Sequence, residues 1–175
     1  MEKVKHLLKN GLLALFHFIF VGGILETHYL YASTSLPSSL VKLPENENAI
    51  LVEKQSQTLY LYSSKNKGIF LEFKTDCSTG EASGIKIKAG DKKTPEGVYF
   101  LKDEYEDRYL TPIYGKKAFS TDYPNLLDAR AGRNGSAIWI HGTNKKLKPM
   151  DSNGCVALEN QSILKLSNYV NIDST

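Results

Sequence analysis

Short apolar runs, each broken by Ser, Asn, Lys or Gly clusters, limit how this chain can fold more than any other feature. Five of these runs lie over residues 50–53, 58–62, 68–73, 85–88 and 98–101. The first two alternate polar and apolar side chains, the pattern of a strand with one face on a core. Runs this short, bounded by turn-forming residues, are typical of strands. The sequence therefore predicts a predominantly β domain.

The N-terminal stretch, residues 1–32, has the layout of an export signal. Lysines precede an apolar run over residues 11–25, and Tyr31-Ala32-Ser33 follows it. The run is shorter than the roughly 20 residues of a spanning helix, which favours a signal peptide cleaved after Ala32. Leu30 fits a small-x-small cleavage site poorly, so an uncleaved membrane anchor stays open, and in both cases the segment contacts the membrane during export. Residues 33–48, rich in Ser, Pro, Asn and Glu, are expected to form a linker to a domain over residues 49–175.

The charge balance argues against a nucleic-acid partner. The formal net charge is +3, and removal of residues 1–32, with three lysines and two glutamates, lowers it to +2. The remaining lysines are interspersed with acidic residues, so no basic stripe is available to follow a phosphate backbone. A zinc site needs about four ligands and the sequence has no close pairs of Cys or His, so zinc binding is not expected. No other metal and no organic cofactor is implied. No oligomeric state is predicted.

Two further apolar runs carry reactive side chains. Residues 137–140 end at His141, and residues 155–158 begin at Cys155, in the context Ser152-Asn153-Gly154-Cys155-Val156. An imidazole close enough to take the thiol proton gives a thiolate at neutral pH, which is the nucleophile of thiol acyl transfer. Gly154 permits a tight turn, so that nearby amides can point at a developing oxyanion. The polar connection over residues 143–153 is long enough to place the two strands side by side.

A disulfide is the alternative role for the cysteines. An exported chain with two cysteines permits a bond between Cys77 and Cys155. A disulfide needs neither the His141-Gly142 pair nor the glycine before Cys155, whereas a nucleophile benefits from both. Cys77 follows an apolar strand pattern and is expected to be a small buried residue.

The segment over residues 103–136 combines aromatic residues with Pro and Gly. Its tyrosines and phenylalanine argue against disorder, and a long insertion of this kind is often functional. We expect it to form a wall or lid over the cleft, and filling of a secondary core is the equally weighted alternative. Candidate substrate contacts are Tyr114, Phe119, Tyr123, Trp139 and Thr143. After it, Asn160 is expected to cap a helix with Ile163, Leu166 and Val170 on one face.

Several blocks together resemble the L,D-transpeptidase (YkuD-like) catalytic domain family. His141-Gly142 and Ser152-Asn153-Gly154-Cys155 match its signature, and the flanking blocks follow its order: Ile50-Leu51-Val52, Thr58-Leu59-Tyr60-Leu61-Tyr62, Cys77-Ser78-Thr79-Gly80, Gly90-Asp91-Lys92-Lys93-Thr94-Pro95-Glu96-Gly97-Val98-Tyr99 and Ile138-Trp139-Ile140. The resemblance implies a mixed β-sheet sandwich with a few short helices. It also implies a cysteine enzyme that attacks peptidoglycan stem peptides at the L-centre of the third-position diamino acid and releases D-alanine.

The same resemblance assigns roles within the site. Cys155 is the implied nucleophile, His141 the general base, and the amides of Asn153, Gly154 and Cys155 the oxyanion donors. A backbone carbonyl near Gly142 or Thr143 would orient the imidazole. Ser152 is expected to shape the cysteine loop through local hydrogen bonds.

One position departs from the family pattern. The commonest form has an arginine two residues after the cysteine, and here that residue is Ala157. Its loss removes a planar donor able to hold a carboxylate. The arginine-less form resembles a branch that includes L,D-carboxypeptidases. The expected function is therefore an L,D-transpeptidase of the cell envelope, with a carboxypeptidase that trims tetrapeptide to tripeptide, or an inactive wall-binding module, as alternatives.

Overall fold

The computed structural model describes residues 43–172. The predicted export signal and most of the predicted linker lie outside the described residues. Within residues 43–172 no helix is both long and apolar enough to cross a membrane. The described part of the chain begins its regular structure at Asn48, close to the start expected for the folded domain.

The first sheet is an antiparallel meander of three strands. These are β1 (Asn48–Glu53), β2 (Thr58–Lys65) and β3 (Gly68–Asp76), in the spatial order β1-β2-β3. The runs predicted at residues 50–53, 58–62 and 68–73 are confirmed, and each strand extends a little further. Leu59 and Leu61 alternate with Tyr60 along β2, and both leucines are buried on the core side. Two-residue periodicity in the sequence thus indicates the correct face.

The second sheet has four strands and carries the predicted reactive residues. Its strands are β4 (Leu101–Glu106), β5 (Lys117–Thr121), β6 (Trp139–Thr143) and β7 (Val156–Glu159), in that spatial order. The pairs β4–β5 and β5–β6 are antiparallel, whereas β6–β7 is parallel. Short helices complete it: α1 (Leu126–Arg130), α2 (Asn160–Leu166) and single 3₁₀ turns at Asp107–Tyr109 and Pro112–Tyr114. The predicted fold class, mainly β with mixed sheets and a few short helices, is confirmed.

One hydrophobic core lies between the two sheets and α2. Leu59, Leu61, Phe119, Leu158 and Ile163 have no exposed surface and belong to a single cluster. Burial of a side chain of this size contributes about 1.5–3 kcal/mol. The core therefore fixes the strands that present the candidate site.

The strand predicted at residues 85–88 is wrong. The backbone amides of Ile87 and Lys88 donate to the Asp91 carboxylate, at 2.8 and 3.1 Å. The Ile87 carbonyl accepts from the backbone of Asn134 at 2.9 Å. A carboxylate four residues along the chain thus replaces the strand ladder as the partner of these amides.

The strand predicted at residues 98–101 is also misplaced, and β5 was not predicted. Phe100 exchanges hydrogen bonds with Asp122 through its amide and its carbonyl, and strand pairing starts only at Leu101. β5 lies inside the segment expected to lack strands. Its central residues Ala118, Phe119 and Ser120 are all buried, so the alternation that marks a half-buried strand is missing.

The helix after β7 is present, but its predicted cap is wrong. Glu159 occupies the N-cap position and Asn160 is the first helical residue. Asn160 instead joins two loops, because its Oδ1 accepts from the Lys116 amide and its Nδ2 donates to Asn144 Oδ1. Ile163, Leu166 and Val170 are buried together as expected.

Candidate active site

The register of β6 and β7 places the reactive residues on one side of the sheet. His141 is paired with Ala157, and Cys155 precedes that alanine by two residues. Residues two apart along a strand point to the same face. Strand spacing and rise put the Cα atoms of His141 and Cys155 roughly 8 Å apart, which the two side chains can largely span. The predicted side-by-side strands thus bring the imidazole and the thiol to one surface.

A cleft of about 310 Å³ lies at this surface. His141 and Cys155 line it, as do Tyr114 and Thr143 among the predicted substrate contacts. Its other lining residues come from the loop after β3, the 3₁₀ turn, the β6–β7 loop and β7 itself: Ser78, Glu81, Ile113, Lys145, Lys146, Leu147, Lys148, Asp151, Ser152, Asn153 and Ala157.

The imidazole of His141 is held by its own strand. Nδ1 lies 2.6 Å from the carbonyl oxygen of Gly142, so Nδ1–H donates and Nε2 keeps its lone pair. The ring of Tyr114 packs edge-on against it, with 5.0 Å between centroids. The carbonyl expected near Gly142 or Thr143 is thus that of Gly142, and an acidic side chain is not required to set the tautomer.

Burial sets the protonation of both groups. His141 is 7% exposed, and burial lowers the pKa of its imidazole despite the hydrogen bond to Gly142. Burial raises the pKa of the Cys155 thiol, and the Trp139 backbone amide and the Lys86 ammonium offset part of that rise. Both shifts favour a neutral imidazole beside a neutral thiol in the unliganded site. The thiolate expected at neutral pH stays a prediction.

The cysteine loop is shaped by Ser152, as the sequence predicts. Ser152 Oγ donates to the Cys155 carbonyl at 2.6 Å and accepts from the Gly154 amide at 3.1 Å. The Gly154 amide is therefore engaged within the loop, which corrects its predicted role as an oxyanion donor. The thiol itself donates to the Ala137 carbonyl at 3.5 Å.

Gly154 is required for two reasons. Its φ is +129°, which disfavours residues with a side chain. A Cβ at this position would also lie 2.8 Å from the carbonyl oxygen of Lys93. The segment around Lys93 thus packs directly beneath the cysteine.

Thr94 connects that segment to the site, which sequence reasoning missed. It is 5% exposed, and its hydroxyl donates to the Gly154 carbonyl and accepts from the Gly80 amide, both at 2.9 Å. Gly80 permits this approach, since a Cβ there would lie 2.2 Å from the Lys92 carbonyl oxygen. The block over residues 90–99 therefore supports the cysteine loop.

Three predicted substrate contacts, Phe119, Tyr123 and Trp139, do not line the cleft. Phe119 has no exposed surface and belongs to the core, so it cannot touch a ligand. Tyr123 is 4% exposed, its hydroxyl donates to the Asn134 carbonyl, and its ring packs against Tyr99. Both rings therefore serve packing, Phe119 in the main core and Tyr123 against Tyr99.

Trp139 packs against Tyr114, which forms a wall of the cleft. Its ring stacks on Tyr105 with 5.0 Å between centroids and contacts Tyr114 at 5.1 Å. The row continues from Tyr114 to His141. Trp139 thus supports Tyr114, whereas Tyr114 itself faces the cleft.

A buried ion pair lies near the thiol. Lys86 Nζ donates to Asp91 Oδ1 at 2.6 Å, and the two side chains are 3% and 9% exposed. Burial alone would raise the pKa of Asp91, but the Lys86 bond and the amides of Ile87, Lys88 and Lys93 hold it well below its usual value. The pair places a positive charge within electrostatic reach of Cys155.

The two cysteines are free. Burial and the nearby Asp76 raise the pKa of Cys77 to about 12, so this thiol is inert, as a small buried residue should be. Among residues 43–172 no group of three or more His, Cys, Asp or Glu is arranged to hold a metal ion.

Residues 47–175 match the family model described as YkuD, L,D-transpeptidase catalytic domain. The chain belongs to this family. The resemblance of the signature around His141 and Cys155 is thereby confirmed at the level of the family. A search of curated proteins gives no match.

Solved structures support the same assignment. The domain resembles Bd1075 of Bdellovibrio bacteriovorus with 32% identity and a TM-score of 0.63, covering 75% of this chain and 46% of that one. It also resembles Pgp2 of Campylobacter jejuni, named as a helical cell shape determining protein, with 34% identity and a TM-score of 0.66, covering 74% and 46%. A K307A mutant of Pgp2 matches with 33% identity and a TM-score of 0.67, covering 76% and 47%. This chain spans less than half the length of each.

Proposed function

We propose that this protein is a cysteine acyltransferase that cleaves peptidoglycan stem peptides after the third-position diamino acid. Its L,D-transpeptidase activity would pass the acyl group to an amine of another stem peptide or of a protein. The observation that supports this best is that His141, in β6, and Cys155, directly before the parallel neighbour β7, line one cleft. The cleft also has a tyrosine wall at Tyr114 against which a peptide can pack.

The geometry suits the following sequence of bond changes. Cys155 Sγ attacks the carbonyl carbon at the L-centre of the diamino acid, while His141 Nε2 accepts the thiol proton. The C–N bond to D-alanine then breaks, and the departing amine takes that proton from the imidazole. The acceptor amine attacks the thioester, loses a proton to Nε2 and restores the thiol. The Gly142 carbonyl keeps Nδ1 protonated throughout, which leaves Nε2 for each transfer.

Oxyanion stabilisation falls to a smaller set of groups than the sequence suggests. The Gly154 amide is bonded to Ser152, so we assign this role to the amides of Asn153 and Cys155. Both residues line the cleft. Preorganised backbone donors of this kind contribute about 3–4 kcal/mol each to transition-state stabilisation in other acyl-transfer enzymes.

A carboxypeptidase is the second candidate. Ala157 lines the cleft as a methyl group where a guanidinium would bind a carboxylate. If no acceptor stem is held there, water opens the thioester and the tetrapeptide becomes a tripeptide. The two candidates share acylation and differ only in the acceptor, so products must separate them.

The deciding experiment incubates the full chain with disaccharide-tetrapeptide and resolves the products by mass spectrometry. Cysteine-dependent cross-linked dimer supports the transpeptidase, and cysteine-dependent tripeptide without dimer supports the carboxypeptidase. We expect Cys155→Ala to abolish turnover and His141→Ala to cost nearly as much, because the two residues act as a unit. Cys77→Ala is the matched control and should keep activity, since Cys77 is buried away from the cleft.

Two outcomes would contradict the proposal. Full activity in Cys155→Ala would exclude the cysteine mechanism. Binding of stem peptide that Cys155→Ala leaves unchanged, with no turnover in the unaltered chain, would favour a wall-binding module. Export through residues 1–32 is part of the same proposal, because peptidoglycan lies outside the cytoplasmic membrane, and retention of the chain in the cytoplasm would contradict that part.

A further inference from the structure

The loop between β6 and β7 gives the cleft a positive charge. Lys145, Lys146 and Lys148 all line it together with the catalytic pair. Within residues 43–172, none of their ammonium groups has a hydrogen bond or an ion pair to a carboxylate. Several lysines elsewhere in the described residues are paired, among them Lys54 with Glu96 and Lys65 with Glu72. Three unpaired ammonium groups thus line one cleft.

Acidic residues at the cleft offset little of this charge. Glu81 lines the cleft, but its carboxylate already accepts from Lys92 at 2.6 Å. Asp151 is the other acidic lining residue, and it is exposed. The cleft is therefore lined by three lysines and by one carboxylate, that of Asp151, that is not paired with a lysine outside the cleft. This balance favours an anionic ligand.

The lysine loop is anchored at both ends. At its start, Asn144 Nδ2 donates to the Pro112 carbonyl and the Lys145 amide donates to Thr143 Oγ1. At its end, the Met150 amide donates to Gln57 Oε1 and the Asp151 amide to Ser78 Oγ, both at 2.9 Å. The lysines are thus carried on a loop whose backbone is anchored at the cleft that Cys155 also lines.

We infer that Lys145, Lys146 and Lys148 form a carboxylate-recognition subsite that selects acidic donor peptides with free carboxylates beside the scissile bond. The inference rests on the proposed function for the identity of the peptide. A stem tetrapeptide bears a terminal carboxylate on D-alanine and further carboxylates on its acidic residues. An ammonium is a mobile point charge, so it suits carboxylates that approach at different angles better than a fixed bidentate donor does.

The predicted effect is on binding and not on the chemical step. An exposed ion pair contributes a factor of about 2–5 in affinity, so the triple Lys145→Gln, Lys146→Gln, Lys148→Gln variant should raise KM by about 10-fold or more. We expect kcat to stay within about 3-fold of the unaltered chain, because no lysine holds the reacting atoms. Added salt should weaken binding to the unaltered chain and have much less effect on the variant.

The test uses the full chain carrying Cys155→Ala, so that binding is measured without turnover. Calorimetric titration compares disaccharide-tetrapeptide with the same molecule carrying a carboxamide at D-alanine, and with one carrying carboxamides at its other carboxyl groups. The charge-matched control replaces Lys67, Lys74 and Lys88, which are exposed and do not line the cleft, by glutamine. The derivative whose binding no longer responds to the lysine substitutions identifies the carboxylate that they recognise.

Binding of the free tetrapeptide that is weakened only by the cleft substitutions supports the subsite. Equal weakening by the control, equal weakening for fully amidated peptide, or no weakening at all would overturn it. Absence of turnover in the unaltered chain, together with lysine-dependent binding, would remove the proposed reaction and keep the subsite. The two proposals can therefore fail separately.

Discussion

Protonation of the reactive pair decides how this site responds to pH. Catalysis needs a neutral imidazole to accept the thiol proton. Burial lowers the pKa of His141 from its ordinary 6.5 and raises that of Cys155 from its ordinary 9.0, so the required state extends over a wider range than in water. We expect kcat/KM to rise along an acid limb below pH 6.5 and to stay flat to above pH 9.

Two measurements check this profile. Initial rates between pH 4.5 and 10 give the limbs of kcat/KM, and iodoacetamide labelling of Cys155 gives the fraction of thiolate. Labelling should still be increasing above pH 9, since the thiol is largely protonated at neutral pH. An acid limb well above 6.5 would contradict the lowered pKa of His141. Labelling that is already complete at pH 7 would show a preformed thiolate–imidazolium pair and contradict the neutral resting state proposed here.

The reactive residues are the part of the site that the sequence predicts best. Cys155 and His141 can be found because each lies at the edge of an apolar run, and the parallel register of β6 and β7 then aligns them. Phe119 and Tyr123 could not be distinguished from Tyr114 by composition, because all three are aromatic residues in one segment and only tertiary packing separates core from cleft. The cleft lysines carried a signal, namely their density in one polar loop.

At the level of elements, a strand can be predicted from the sequence where local hydrogen bonds do not compete with strand pairing. β1, β2 and β3 are predictable because they alternate and pair with sequence neighbours. Residues 85–88 have suitable side chains for a strand. The amides of Ile87 and Lys88 donate to the Asp91 carboxylate instead of to a neighbouring strand. β5 is missed for the opposite reason, since it is buried on both faces and has no alternation to detect.

The loop that contains Thr94 offers a test of how one element supports another. Thr94→Val keeps the shape of the side chain but leaves the Gly80 amide and the Gly154 carbonyl without their shared partner. An unsatisfied buried group costs about 1–3 kcal/mol, and the cysteine loop should lose its fixed position. We expect turnover to fall by about 10-fold or more. Urea unfolding and steady-state rates measure the two effects.

Two controls make the Thr94 result specific. Thr94→Ser keeps the hydroxyl and should retain most of the activity. Thr75→Val removes a hydrogen bond to Ser162 far from the cleft and should leave turnover unchanged. Loss of activity in the serine variant equal to that in the valine variant would show that the methyl group, and not the hydroxyl bridge, is what matters.

For the whole molecule, stability should fall in two separate pH ranges. The folded-state pKa of His141 lies below its ordinary 6.5, so the unfolded chain binds more protons and stability declines as the pH falls below 6.5. The folded-state pKa of Asp91 lies well below its ordinary 3.8. Its contribution is complete above that value and is lost as the pH falls further. Glu72 acts in the same direction, through hydrogen bonds from Lys65 and Ser63.

Substitution can separate the two ranges, with the free energy of unfolding measured in urea between pH 8 and 3. His141→Gln should flatten the curve between pH 6.5 and 5 and leave the steeper loss below 4. Replacing Asp91 alone would leave Lys86 buried and unpaired, at a cost of about 3–5 kcal/mol, so the second variant is the double Lys86→Met, Asp91→Asn. It should weaken the loss below pH 4 and keep the upper range. If the double variant retains the full acid loss, the buried ion pair does not govern the acid stability of the fold.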